Sequence, residues 1–223
     1  MLANTLNNNS TWSFLAKSPT KNIAMKNKII LLLFALFSLG LSAQTAKSVL
    51  DKTAALCSSG AVQVNFTAKG ARGNSSGTLV AQNNKFTLQS PQANIWFDGK
   101  TEWSIVSGSD EVNVSNPSAK EIASMNPMNF VNLYKKGYKS TLKTVGNNYE
   151  VHLVATSKSQ AIKEMYIYIS KTSSKPTLVK MRTGSKDWTS IVVNSFKTLG
   201  KQSDAAFKYN VKDHPGMKVI DLR

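Results

Sequence analysis

Between Ala61 and Ser115 the chain alternates apolar and polar residues with a period of two. Val62, Val64, Phe66 and Ala68 fall on one face of a strand, because successive strand side chains point to opposite faces. Further strands are predicted near 77–82, 84–90, 92–97, 101–106 and 111–115, joined by Asn83-Asn84, Pro91, Asp98-Gly99 and Ser107-Gly108-Ser109. Lys69 to Gly77, rich in Gly, Ser and Asn, reads as a flexible turn. Six strands in succession with short links make an antiparallel meander.

The period then changes. Asn116-Pro117 and Asn126-Pro127 each pair an N-cap residue with a proline in the first helical position, predicting helices over 117–125 and 127–136. The first offers Ile122 and Met125, and the second Met128, Phe130, Val131, Leu133 and Tyr134, with Gly137 as the stop. Falling between two halves of a sheet, this pair is placed to cover one face of it. Strands resume at 139–145, 148–155, 161–170, 176–183 and 188–197, with Gly146-Asn147 as a hairpin turn and Pro176 at a strand edge. Met165, Ile167 and Ile169 alternate with Tyr166 and Tyr168, so the strand they share is apolar or aromatic on both faces. Phe207, Tyr209 and Val211 predict a last short strand before His214-Pro215-Gly216 turns the chain into Val219-Ile220-Asp221. Ahead of the first strand, Ala46, Val49, Leu50, Thr53, Leu56 and Cys57 recur at helical spacing from Thr45 to Ser58, with Gly60 closing the helix. The count is about eleven strands with a few helices in one α+β, mainly β, domain.

The densest local signal is Ile95-Trp96-Phe97-Asp98-Gly99-Lys100-Thr101-Glu102-Trp103. Asp-Gly between apolar runs favours a two-residue hairpin turn, which sets Trp96 opposite Thr101 and Asn94 opposite Trp103. Trp96, Trp103 and Ile105 then share one face, and Ile95 and Phe97 the other. A sheet with large apolar groups on both sides needs a cover on each, a partner or a ligand.

The N-terminus bears on the compartment. A basic start, Met25-Lys26-Asn27-Lys28, precedes the apolar run Ile29 to Leu41 and the small residues Ser42-Ala43, the layout of a cleaved secretory signal peptide over 25–43. The run is short for a bilayer span. Residues 1–24 read as a non-native or disordered extension, and 44–223 as the mature domain, soluble in the periplasm and monomeric. No Cys follows the small residues, so no lipid attachment is expected at the mature start. Four lysines and no acid lie before Gln44, leaving 24 bases against 12 acids. That excess favours anionic partners; with scattered lysines and a signal peptide, an anionic membrane surface suits it better than nucleic acid. Cys57 alone allows no intramolecular disulfide, and His152 and His214 lack metal-ligand spacing, so neither a metal nor another cofactor is expected. Asp51, Asp98, Asp110, Asp187 and Asp213 fall in turns or on helix surfaces without a paired acid, and no nucleophile elbow appears, which argues against an enzyme.

From about Gln44 to Arg223 the chain resembles the LolA family of periplasmic lipoprotein carriers. The resemblance rests on Asn94-Ile95-Trp96-Phe97-Asp98-Gly99-Lys100-Thr101-Glu102-Trp103, on Phe66, on Asn126-Pro127-Met128-Asn129-Phe130, and on Phe207-Lys208-Tyr209 through Gly216-Met217-Lys218-Val219. It implies an unclosed, strongly curved antiparallel sheet, a half-barrel whose apolar hollow is covered by short helices acting as a lid. It also implies a carrier that takes lipoprotein acyl chains from an inner-membrane transporter to an outer-membrane receptor. Family members often carry an Arg-Pro pair that helps control the lid; the matching Ala81-Gln82-Asn83-Asn84-Lys85 has neither residue. The residues expected to line the groove are Trp96, Trp103, Ile105, Leu79, Phe86, Leu88 and Phe66, with Ile122, Met125, Met128, Phe130, Val131, Leu133 and Tyr134 in the lid. Ordinary core packing competes for each of them, and Ile95 and Phe97 exchange roles with the tryptophans if the hairpin faces the other way. The alternative function is a periplasmic lipid- or lipoprotein-sensing module that uses the same groove.

Overall fold

Twelve strands with this much apolar surface on both sides assemble into a single sheet. The computed structural model describes residues 44–71, 73–119, 121–122, 134–184 and 186–223. Helix α1 spans Ala46–Ser58. The first six strands are β1 (Val62–Gly70), β2 (Gly73–Gln82), β3 (Lys85–Gln89), β4 (Ala93–Phe97), β5 (Glu102–Val106) and β6 (Glu111–Ser115). After the connecting segment come β7 (Tyr138–Val145), β8 (Asn148–Ala155), β9 (Glu164–Ser170), β10 (Pro176–Arg182), β11 (Trp188–Thr198) and β12 (Lys218–Asp221). The spatial order is β12-β6-β5-β4-β3-β2-β1-β11-β10-β9-β8-β7. Two antiparallel meanders therefore meet where β1 pairs with β11, and the sheet is curved and unclosed, as the resemblance implies. Among the described residues, only β12 is parallel to its neighbour, β6.

Helix α1 forms where its caps and its apolar stripe coincide. Thr45 Oγ1 accepts from the Ser48 backbone N–H and Ser48 Oγ accepts from the Thr45 N–H, both at 3.0 Å, closing a reciprocal capping box. Ala46, Val49, Leu50 and Thr53 are its buried face. Thr53 Oγ1 donates to the Ser174 carbonyl at 2.9 Å, which ties the helix to the turn before β10. Gly60 does not supply a left-handed cap, because the C-cap is Ser59 in the right-handed helical region. What Gly60 supplies is room: a Cβ there would lie 2.5 Å from the Leu199 carbonyl oxygen.

The core sits on the sheet face that α1 covers. Val62, Val64, Leu79, Phe86 and Phe97 from the first meander are buried there with Val151, Met165, Ile167 and Val179 from the second. Phe86 and Phe97, cross-strand neighbours, hold their rings 5.3 Å apart. A bulge at Asn65/Phe66 on the β1–β11 seam places Asn65 opposite Ser195 and Phe66 opposite Val193, bending the seam without losing its apolar alternation.

Four expectations need correction. The hairpin centre lies at Gly99-Lys100, since Trp96 pairs with Trp103, Asn94 with Ile105 and Phe97 with Glu102. Asp98 Oδ1 accepts from the N–H groups of both Lys100 and Thr101, and Gly99 alone takes positive φ, +100°. This moves the register by two residues, so every side chain keeps its predicted face. Residues 69–70 and 73–77 are paired strand rather than part of a flexible turn, with Gly70 opposite Gly73. Their backbone groups take ladder hydrogen bonds whatever the side chains prefer. Phe207, Tyr209 and Val211 do not form a strand: Asp204–Phe207 and Val211–Asp213 are 3-10 turns, and the twelfth strand follows at Lys218–Asp221. Finally, the helical turn after β6 is capped at Ser118 rather than Asn116, with Ser118 and Glu121 bonded reciprocally. The rest of the predicted helices at 117–125 and 127–136 falls largely outside the described residues.

Two outcomes follow for stability. Phe97→Ala should lower the unfolding free energy by about 3–5 kcal/mol in urea titrations, because a fully buried ring leaves a cavity beside Phe86. Gly99→Ala should cost about 1–2 kcal/mol by the same measurement, from a backbone conformation that L-residues avoid and a clash with the Asn84 side chain.

Candidate functional site

The face under α1 is apolar from β1 to β4 and turns polar on β5 and β6, where Ser104 follows Ile95 and Glu102 follows Phe97, with Asn113 and Ser115 beyond them. The pairings Val64–Leu79, Leu79–Leu88 and Leu88–Ile95 make a continuous row over four strands. Leu79 is fully buried within it, while Leu88 and Ile95 are only half-buried and pack against the core from its margin. Ile122 and Tyr134, at either end of the segment between β6 and β7, touch the same cluster. The row therefore ends in apolar side chains that are already partly open.

A recess of about 340 Å³ opens beside this face, lined among others by Asp51, Ala54, Cys57, Asn83, Tyr134 and Lys135. Among the described residues, a polar link joins α1 to the end of the connecting segment. The Tyr134 hydroxyl donates a very short hydrogen bond to Asp51 Oδ1, while Lys47 Nζ donates to Asp51 Oδ2 at 2.7 Å. The Lys47 bond, then the Tyr134 bond, holds the Asp51 carboxyl below its usual range. Desolvation, with Asp51 adding to it, pushes the Tyr134 phenol up to about 12, so it stays a donor at neutral pH. Burial pushes the Cys57 thiol up to about 11, so at neutral pH it is a protonated, poorly nucleophilic wall residue. Asp51 and Tyr134 are 83 residues apart. No pattern in the sequence announces their meeting.

The opposite face of the first meander has a different cover. After β11 the chain crosses it as a strap. Gln82 Nε2 donates to the Gln202 carbonyl at 3.1 Å and Gln82 Oε1 accepts from the Gln202 N–H at 2.8 Å. Lys85 pairs with Asp204 at 2.5 Å, and Phe207 is fully buried. Tyr209 and His214, stacked on each other at 5.1 Å, meet the Trp96 ring edge-on at 5.7 and 5.3 Å. The strap ends as β12 on the β6 edge.

The seven residues expected in the groove thus divide between two faces. Phe66, Leu79, Phe86 and Leu88 lie under α1, together with Ile95 and Phe97. Trp96, Trp103 and Ile105 lie on the strap face, where Trp103 is opposite the buried Val114. Of the expected lid residues, Ile122 and Tyr134 contact the helix-side cluster. Met125, Met128, Phe130, Val131 and Leu133 lie outside the described residues. Ala54 and Cys57 of α1 also line the recess; Cys57 lies on the apolar stripe of the helix, whereas Ala54 lies beside it and carries no sequence signal.

Among the described residues no helix is long and apolar enough to cross a membrane. Known proteins of the same build supply the context for this arrangement. An uncharacterized conserved protein from Thermus thermophilus superposes with a TM-score of 0.54 at 14% identity, over 79% of this chain and 98% of that one. A LolA superfamily protein from Nitrosomonas europaea gives a TM-score of 0.46 at 12% identity, over 75% of this chain and 99% of the other. No curated protein matches in sequence. The sequence model of the family described as outer membrane lipoprotein carrier protein LolA matches residues 36–185. Two faces with separate covers, one of them apolar beneath a single helix, are thus the form that this sequence gives to a known family: the chain belongs to the LolA family of outer membrane lipoprotein carrier proteins.

Proposed function

We propose that the protein is a periplasmic carrier that holds the acyl chains of lipoproteins, or of other lipids, against the helix-covered face of its sheet. The observation that carries this reading is the row Leu79, Leu88 and Ile95, which runs from a buried interior to a half-open apolar margin beneath α1 and Tyr134. An acyl chain leaving water gains about 0.8 kcal/mol per buried methylene, with no directional bond required. Such a row can therefore extend its apolar contacts along a chain while reading length and shape loosely. The Asp51–Tyr134 bond ties the end of the covering segment to α1, so it is a polar contact that must break if that segment moves aside. Opening has to cost only a few kcal/mol, or cargo could not shift the population. The family is one of carriers, and the proposed cycle needs no covalent chemistry. An inner-membrane transporter would load the carrier and an outer-membrane receptor would unload it.

The purified protein should co-elute with triacylated lipoprotein released from inner-membrane vesicles. Ile95→Arg should weaken that association at least tenfold, while Val192→Arg, on the exposed opposite face, should leave it unchanged. If Ile95→Arg lowers the melting temperature, Leu88→Ala gives the same comparison more gently. Normal loading of both folded helix-side variants would overturn the assignment. Protein recovered from an envelope fraction should begin at Gln44 by N-terminal sequencing, which tests the expected signal cleavage.

A further inference from the structure

The strap covers only the first meander. On the second, the same outer face presents aromatic and charged side chains. Tyr166 and His152 stack with ring centroids 4.1 Å apart and planes within 1°, and Tyr166 meets Trp188 at 5.5 Å. Across the strands Tyr166 is opposite Lys180, and Lys180 is opposite Ser190, so a phenol, an ammonium and a hydroxyl form one row. Tyr168 and Trp188 flank that row, and the five side chains surround a hollow of about 330 Å³, the small end of the range for ligand sites.

The charges around the hollow are not equivalent. Glu164 accepts from Arg182 at 2.7 Å and bonds His152 at 2.8 Å, so Arg182 balances the Glu164 charge at the edge. Arg182 also lies 5.7 Å from the Trp188 ring centre, which fixes the indole from one side. Lys180 is different. Its Nζ is 5.9 Å from the Tyr168 ring centre, and among the described residues no acid lies within ion-pair distance of it. The hollow therefore combines flat ring faces, the Ser190 hydroxyl, two tyrosine hydroxyls that donate to Glu150 and Glu164 and keep their oxygens open to a further donor, and one cation that forms no ion pair among the described residues. A cross-strand aromatic ladder that only stabilised the sheet would require the ring contacts, but neither the hollow nor an uncompensated ammonium at its wall.

We propose that this outer hollow binds a polyhydroxylated six-membered ring, a sugar or cyclitol, that carries a phosphate or carboxylate group. The C–H face of such a ring packs on Trp188 and Tyr166, its hydroxyls meet Ser190 and the tyrosine hydroxyls, and its anionic group meets Lys180. A bare anion would gain little from one half-buried lysine at an open surface. An acyl chain would leave the hydroxyls and the ammonium unused. The assignment is independent of the acyl-carrier reading, because the two sites lie on opposite faces of the sheet.

The test follows the Trp188 indole N–H resonance of the purified protein during titration with a glucuronic-acid disaccharide and with its neutral counterpart. Vesicles of phosphatidylcholine containing phosphatidylinositol or phosphatidylglycerol are compared in a flotation assay. The acidic disaccharide should shift the resonance and bind at least tenfold more tightly than the neutral one; such a response identifies a soluble saccharide. Flotation with phosphatidylinositol in preference to phosphatidylglycerol identifies a lipid headgroup instead. Trp188→Ala should weaken either interaction at least tenfold, and Lys180→Gln should erase the preference for the anionic ring, with lipoprotein loading unchanged in both. Should Trp188→Ala alter the melting temperature, Lys180→Glu tests the same wall by charge reversal. Silence toward both the disaccharide and phosphatidylinositol overturns the proposal. So does equal binding to the two anionic vesicles without a disaccharide response, which reduces the face to a charged membrane contact.

Discussion

Everything in this molecule depends on a sheet that carries large apolar groups on both faces of its first meander and is not closed into a barrel. In a closed barrel one face becomes an interior automatically. Here each face of the first meander needs its own cover, and the chain supplies two from opposite ends of the domain. Helix α1 precedes the first strand and lies on one side; the strap from Gly200 to Met217 follows β11 and lies on the other. The two covers are unlike in chemistry. The helix presents Val49 and Leu50 to an apolar field, whereas the strap fastens itself with the Gln82–Gln202 bonds, the Lys85–Asp204 pair and the Trp96–Tyr209–His214 cluster. A cover held by polar bonds and ring contacts at fixed positions is registered along the sheet. One held mainly by dispersion and burial depends less on any single geometry.

That contrast bears on function. A site for flexible hydrocarbon needs apolar surface that can exchange one cover for another at small cost, and the helix-side face has it. Its margin at Leu88 and Ile95 is half-open, and its recess is bridged by one prominent polar contact, Tyr134 to Asp51. The strap face has the opposite character. Trp96 is held edge-on by two stacked rings, an arrangement with specific centroid distances that a lipid tail could not reproduce. The tryptophans that stand out most in the sequence thus serve the fixed cover, and the plainer aliphatic residues serve the open margin.

Much of this could be read from the sequence, for identifiable reasons. Alternation with a period of two located eleven of the strands because burial on a half-covered sheet imposes it directly. The capping residue Thr45 and the stripe Ala46, Val49, Leu50 and Thr53 located α1 for the corresponding helical reason. Asp98-Gly99 located the hairpin, and the two-residue difference in register left the faces intact because the side-chain period is two. The 3-10 turns at Asp204–Phe207 and Val211–Asp213 could not be read in this way. Phe207, Tyr209 and Val211 alternate like a strand, yet what fixes Phe207 and Tyr209 is contact with a sheet laid down more than a hundred residues earlier. The family resemblance, carried largely by the residues around that same hairpin, agrees with the family match over residues 36–185.

By itself the sequence determined eleven of the strands, helix α1, and which side chains of each strand go together, because periodicity is a local property. It also showed that two faces were greasy. Which face belongs to the helix was decided only by the tertiary structure. Alternation gives two equivalent sets of side chains, and their equivalence is broken by contacts between segments far apart in the chain. Trp96 against Tyr209 beneath the strap and Tyr134 against Asp51 at the recess are such contacts. Each has its cause in packing across the sheet and leaves no mark at a fixed spacing along the chain.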